Sequence, residues 1–217
     1  MFVLHLALGG CLAPPPVRYG LTADTGGHIA YVLEAACAQA GLVRVDAVSV
    51  VTRLFDDARL GAEFASPSQV LCAKATIDRI ATGDRSYLEK EGLSRDLPAF
   101  VDGFEVHLAG LPRLPDVIHA HFSDAACVAR AARDRFDIPF VYTPHALGLD
   151  KRGASAPDRR PDRRLDRRID VERTALERAD AVIVSTRNEA DHQVAQYRVP
   201  GIERPVTGAT RSPAQTS

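Results

Sequence analysis

The chain has no tryptophan and a single methionine among its 217 residues. None of its apolar runs approaches the roughly 20 residues that a membrane-spanning helix requires. Neither sign of charge prevails, since 27 Lys and Arg face 28 Asp and Glu. That balance excludes the broad one-signed field by which nucleic-acid and anionic-membrane binders attract their partners, and neither partner is expected. The cysteines Cys11, Cys37, Cys72 and Cys127 form no CxxC pair, which removes the usual signature of a zinc ribbon or a dithiol redox centre. They read as reduced thiols of a cytoplasmic protein. Leu8-Gly9-Gly10-Cys11 has the look of a lipoprotein cleavage box, yet no Lys or Arg precedes it, so a first core strand is the preferred reading.

What is present alternates between two periods. Residues 2–8 are almost wholly apolar, as in a strand covered on both faces, and prolines at 14–16 force a loop. From Gly27 an apolar stripe through Ile29, Val32, Leu33, Ala36, Cys37 and Ala40 has helical spacing, with Gly41 as a stop. Residues 43–51 read as a second strand. Strands follow at 75–81, 116–119, 139–143 and 181–184, with helices at 93–104, from Ser123 as cap to Phe136, and at 169–179. Repeated β-α units predict a Rossmann-like parallel sheet flanked by helices. One domain over residues 1–197 is expected, interrupted by a charged flexible loop at 151–168 and followed by a disordered tail at 198–217.

In such sheets ligands meet the carboxyl ends of the strands, which singles out four places. Asp24-Thr25-Gly26-Gly27-His28 precedes a helix and reads either as an anion-binding turn or as a flexible cap. His119-Ala120-His121-Phe122-Ser123-Asp124 puts two histidines on one side of an extended segment. They are zinc ligands with Asp124, polyol-binding groups, or loop and cap residues; no metal is assigned. Thr143-Pro144-His145 ends the next strand with a histidine, followed by Lys151. Ser185-Thr186-Arg187 after the last strand is a helix cap with an arginine that reaches a phosphate or only solvent.

Taken in order, these segments, with Arg79-Ile80, Tyr87-Leu88-Glu89-Lys90, Phe100-Val101-Asp102-Gly103 and Pro115-Asp116-Val117-Ile118-His119, resemble the amino-terminal domain of sucrose-phosphate synthases and sucrose synthases. The resemblance implies the amino-terminal lobe of a GT-B fold and retaining transfer of a sugar from a nucleotide sugar to a sugar or sugar phosphate. No cofactor is implied besides the nucleotide-sugar donor. Gly26 and Gly27 would lie against the donor diphosphate, His145 beside the transferred sugar as the catalytic residue, and His28, Lys90, His121, Asp124, Lys151 and Arg187 around the acceptor. The second lobe, with the nucleotide pocket, lies beyond the matched segments. The chain is therefore expected to be a truncated or split amino-terminal domain, inactive alone, with a separate carboxyl-terminal lobe or a second copy of itself as partner. A non-catalytic sugar-phosphate-binding or regulatory module that pairs with a complete enzyme is the alternative.

Overall fold

The first apolar segment forms β1 (Phe2–Leu6) at the centre of the sheet, paired in parallel with β2 (Ala47–Arg53) on one side and β5 (Val117–His121) on the other. The computed structural model describes residues 1–153, 162–199 and 206–207. The remaining strands are β3 (Ser68–Cys72), β4 (Ala75–Ile80), β6 (Phe140–Thr143), β7 (Ala181–Val184) and β8 (Val206–Thr207). All eight lie in one sheet in the order β3-β4-β2-β1-β5-β6-β7-β8, parallel except for the edge strand β3.

Helices close both faces. α1 (Gly27–Ala40) lays Ile29, Val32, Leu33 and Ala36 on Val3, Ala7, Val48, Val50 and Ile77. Each such aliphatic side chain is worth about 1.5–3 kcal/mol when fully buried. The opposite face carries α2 (Leu93–Gly110) and α3 (Phe122–Phe136), whose Phe100, Phe104, Ala125, Ala129 and Ala132 join Leu4, Leu6, Ile118 and Ala120. Because side chains alternate along a strand, His5 points to the α1 face with Val3 and Ala7. His119 and His121 share that face with Val117, which packs on the same cluster. The periodicity that builds the two cores thus also places three polar rings beneath α1.

Several boundaries differ from the sequence reading. The second strand begins at Ala47 and not at 43, and Val43 is 96% exposed. Ser123 does not cap α3: the cap position is His121, without a side-chain cap bond, and Ser123 lies buried inside the helix. The expected loop at 151–168 is helical at both ends, in α4 (Gly148–Gly153) and α5 (Arg163–Arg178). Its Asp-Arg-Arg repeats suit a helix because Asp162 caps α5 through Arg164 and Leu165 N–H groups, and Arg168 pairs with Glu172 one turn on. Residues 154–161 lie outside the described residues. Of the tail expected to be disordered, Val206–Thr207 pairs with β7, and most of the rest also lies outside them.

Candidate active site

The chain runs outward from β1 through β2 to β4, then returns to β5 on the other side of β1. This reversal makes the carboxyl ends of β1 and β5 the switch point at which ligands bind in doubly wound sheets. A cleft of about 510 Å³ opens there. Its walls include Leu8 and Gly9 after β1, His28 on α1, Lys90, then His121 at the end of β5 with Phe122 and Asp124 just after it, and His145 and Lys151 after β6. Five of the residues assigned to the acceptor from sequence, His28, Lys90, His121, Asp124 and Lys151, therefore meet there, together with His145. Gly26 and Gly27 sit at the start of α1 beside His28 but are not part of the cleft wall, and Gly27 is exposed. Arg187 is exposed beyond β7 and does not reach the cleft.

Backbone strain brackets the cleft. Phe122 and His145 adopt φ values of 69° and 58°, a region that residues with a Cβ seldom occupy and that is associated with ligand sites. Their rings lie 4.8 Å apart. Phe122 also meets His28 edge-on at 5.0 Å and carries the Lys90 ammonium 4.1 Å above its ring, a cation–π contact.

The histidines form a row. His5 Nδ1 lies 3.0 Å from His121 Nε2, and His121 Nδ1 lies 2.9 Å from His145 Nε2. His5 Nε2 reaches Gln39 Oε1 on α1 at 2.8 Å, and His119 Nε2 reaches Thr143 Oγ1 at 2.7 Å. Burial without a carboxylate partner keeps these rings neutral. Desolvation lowers His5 to about 4 and His145 to about 3, and holds His119 and His121 well below the ordinary histidine range. Desolvation and the neighbouring Lys90 lower His28 as well.

His5, His119 and His121 each offer a nitrogen within 4.8 Å of the others, the composition of a three-histidine metal site. The geometry of the His5–His121 pair is different. Its ring centres are 5.3 Å apart and nearly coplanar, with an interplanar angle of 9°. Subtracting the 3.0 Å nitrogen separation from 5.3 Å leaves 2.3 Å, the two ring radii, so the nitrogens face each other head-on. Ligand lone pairs converge on a metal at about 2.1 Å from each nitrogen, and two nitrogens facing each other at 3.0 Å leave no seat between them. The pair is a hydrogen bond.

Opposite the imidazoles, positive charge gathers. Lys90 is lowered to about 8, by desolvation first and then by Arg168 and Lys151. Asp124 is raised, by desolvation first, although Lys90 and Arg168 act against the rise. Two cations, Lys90 and Lys151, share the cleft wall with one partly desolvated carboxyl, which leaves the cleft suited to an anion.

The glycosyl transferase 4-like domain family matches residues 26–206. The chain belongs to that family. Among its relatives, the sucrose-phosphate synthase of Zea mays is 31% identical over 229 aligned positions, covering 91% of this chain and 21% of the relative. Sucrose-phosphate synthase 4 of Arabidopsis thaliana is 30% identical over 225, with the same coverage. The chain thus spans about a fifth of the length of the curated relatives it matches. Among solved structures, a sucrose-phosphate synthase from Thermosynechococcus elongatus superposes with a TM-score of 0.70 at 24% identity, over 95% of this chain and 46% of that one. A transferase from Siraitia grosvenorii in complex with UDP gives 0.51 at 11% identity, over 95% and 50%. These superpositions establish the fold as that of a GT-B glycosyltransferase.

In this glycosyl transferase 4-like domain, one residue of the histidine row escapes the sequence reading, and two residues of the family pattern, Arg168 and Glu172, receive no role in it. His5 is a lone histidine in an apolar strand with nothing local to mark it. Arg168 does not line the cleft but lies near enough to depress Lys90. Its Nε pairs with Glu172 at 2.6 Å and its Nη2 holds the Ala146 carbonyl at 2.5 Å. Glu172, 1% exposed, also accepts from the Gly148 N–H at 2.8 Å and from the Tyr197 hydroxyl. It thereby anchors the segment that follows His145. Arg168-Ile169 with Glu172 belongs to the family pattern, but a carboxylate among arginines at i−4 and i+1 otherwise reads as an ordinary solvated helix face, so the sequence reading assigns it no role.

Proposed function

We propose that this chain forms the acceptor-side lobe of a retaining glycosyltransferase of the sucrose-phosphate synthase type, which moves a sugar from a nucleotide sugar to a sugar-phosphate hydroxyl. The observation that carries the reading is the pairing, within one cleft, of a neutral imidazole row with a cationic wall. Neutral imidazoles hydrogen-bond hydroxyls at little desolvation cost, whereas Lys90 and Lys151 form charge-assisted bonds with phosphate oxygens. His145, strained and partly buried, is the group we place at the transferred sugar. There it orients a hydroxyl and stabilises charge as the glycosidic bond loosens. The donor nucleotide is held by the second lobe of a two-lobed enzyme, and the whole acts in the cytoplasm. Among the described residues, no helix is long and apolar enough to cross a membrane.

The test is an amide chemical-shift titration of this chain with fructose 6-phosphate and, separately, with fructose. The phosphate ester is expected to shift Lys90, His121 and Lys151 with an affinity in the millimolar range, about −4 kcal/mol, in this solvated half-site. Lys90→Met is expected to remove the response. Equal shifts with both sugars, or none with either, would overturn the sugar-phosphate reading.

A further inference from the structure

His5 enters the site from β1, and Gln39 from the last turn of α1. Neither lines the cleft, yet both are hydrogen-bonded in series to a residue that does. The series runs from Gln39 Oε1 to His5 Nε2 at 2.8 Å, from His5 Nδ1 to His121 Nε2 at 3.0 Å, and from His121 Nδ1 to His145 Nε2 at 2.9 Å. The last contact is head-on like the one before it: ring centres stand 5.1 Å apart, and removing the 2.9 Å between nitrogens leaves 2.2 Å, again two ring radii.

A neutral imidazole carries one proton, so a nitrogen that donates obliges the other to accept. An amide oxygen only accepts. His5 must therefore donate from Nε2, which leaves its Nδ1 to accept from the His121 Nε2–H. His121 Nδ1 must in turn accept from the His145 Nε2–H. The direction set at Gln39 passes unchanged through three rings, and His145 emerges with its proton facing inward and a lone pair on Nδ1. Among the contacts of the described residues, that Nδ1 makes no protein hydrogen bond. Turning the Gln39 amide over would reverse every bond and make His145 a donor at Nδ1.

We propose that Gln39 and His5 are positioning residues that fix His145 in its Nε2–H tautomer, so that His145 meets its ligand as a hydrogen-bond acceptor through Nδ1 and selects a group that can donate, such as a sugar hydroxyl. The ligand half of this statement rests on the function proposed above, while the tautomer half does not. The neutral state on which the series depends agrees with the desolvation of all three rings.

The experiment is a two-bond nitrogen–proton correlation on this chain labelled with nitrogen-15 at histidine, which reports the tautomer of each ring directly. His5, His121 and His145 are each expected as Nε2–H in the wild-type chain. Gln39 is only half-buried on α1, so Gln39→Met keeps its bulk and removes the acceptor without emptying the core. The variant is expected to lose the single tautomer at His145 and show shifts averaged between both forms, with amide dispersion unchanged. A wild-type His145 found as Nδ1–H, or a tautomer unmoved by Gln39→Met, would overturn the proposal. The fructose 6-phosphate titration reports independently on the function. Its failure with the tautomer pattern intact would overturn the sugar-phosphate reading and leave the series standing.

Discussion

Acid should unfold this domain through its buried histidines, and the structure sets the scale. An unfolded chain binds a proton on each histidine below about 6.5, whereas the native fold resists until about 4 at His5 and about 3 at His145. A lowered native value contributes stability that is whole above pH 6.5 and is lost as the pH falls towards the native value. For His5, the gap from 6.5 to about 4 converts, at about 1.4 kcal/mol per pH unit, to about 3 kcal/mol. His119, His121 and His145 act in the same direction. For His5 and His145 together the loss by pH 5 is about 4 kcal/mol, a large share of the 5–15 kcal/mol of a typical domain, and His119 and His121 add to it. Asp124, raised in the fold, offsets part of this by taking up a proton in the native state. Urea unfolding at stepped pH from about 7.5 to about 5 should show stability falling with acidity. Towards pH 5 the slope should correspond to at least about two protons taken up on unfolding, from His5 and His145. His5→Phe should reduce that slope by one proton whatever it does to stability at neutral pH. A free energy independent of pH between about 7 and 5 would mean that the rings are already charged or exposed in the native state, and would refute the neutral row.

Three other outcomes follow from the packing. Asp96→Ala strands the Arg53 guanidinium, whose Nε donates to Asp96 at 2.6 Å with both side chains at most 6% exposed. Chemical denaturation should show a loss of about 3–5 kcal/mol, and one below about 1 would refute the argument. Gly148→Ala would set a Cβ 2.8 Å from Ile169 Cγ1 and 3.0 Å from Glu172 Oε2. The strain should cost about 1–3 kcal/mol in thermal unfolding and loosen the anchor behind His145, and an unchanged melting temperature would count against it. Phosphate binding measured by calorimetry should hold below pH 8 and weaken as the pH rises through about 8, where Lys90 loses its charge. Lys90→Met should bind weakly at every pH, and a variant retaining the wild-type profile would assign the anion to other groups.

The alternation of strands and helices is legible in the sequence, because hydrophobic period is a local property. The helix from Gly27 to Ala40 and the strand Ala181–Val184 form as read. The family pattern was legible in the same local way, as short segments in a fixed order. Local composition misled where charge stood in for disorder: the Asp-Arg-Arg repeats at 162–164 and 166–168 cap and open α5, since a helix lets Asp162 cap and Arg168 pair with Glu172. Only the tertiary structure decided the site. His5 meets His121 across 116 residues because the chain crosses back over β1 after β4, and no periodicity within β1 encodes which strand will lie beside it. The same holds for Arg187: it follows a strand end as the cleft residues do, yet it lies outside the cleft, and nothing local shows which strand ends share one. Strand order is set by the packing of the whole sheet and its helices, so which side chains share the cleft is a property of the assembled domain.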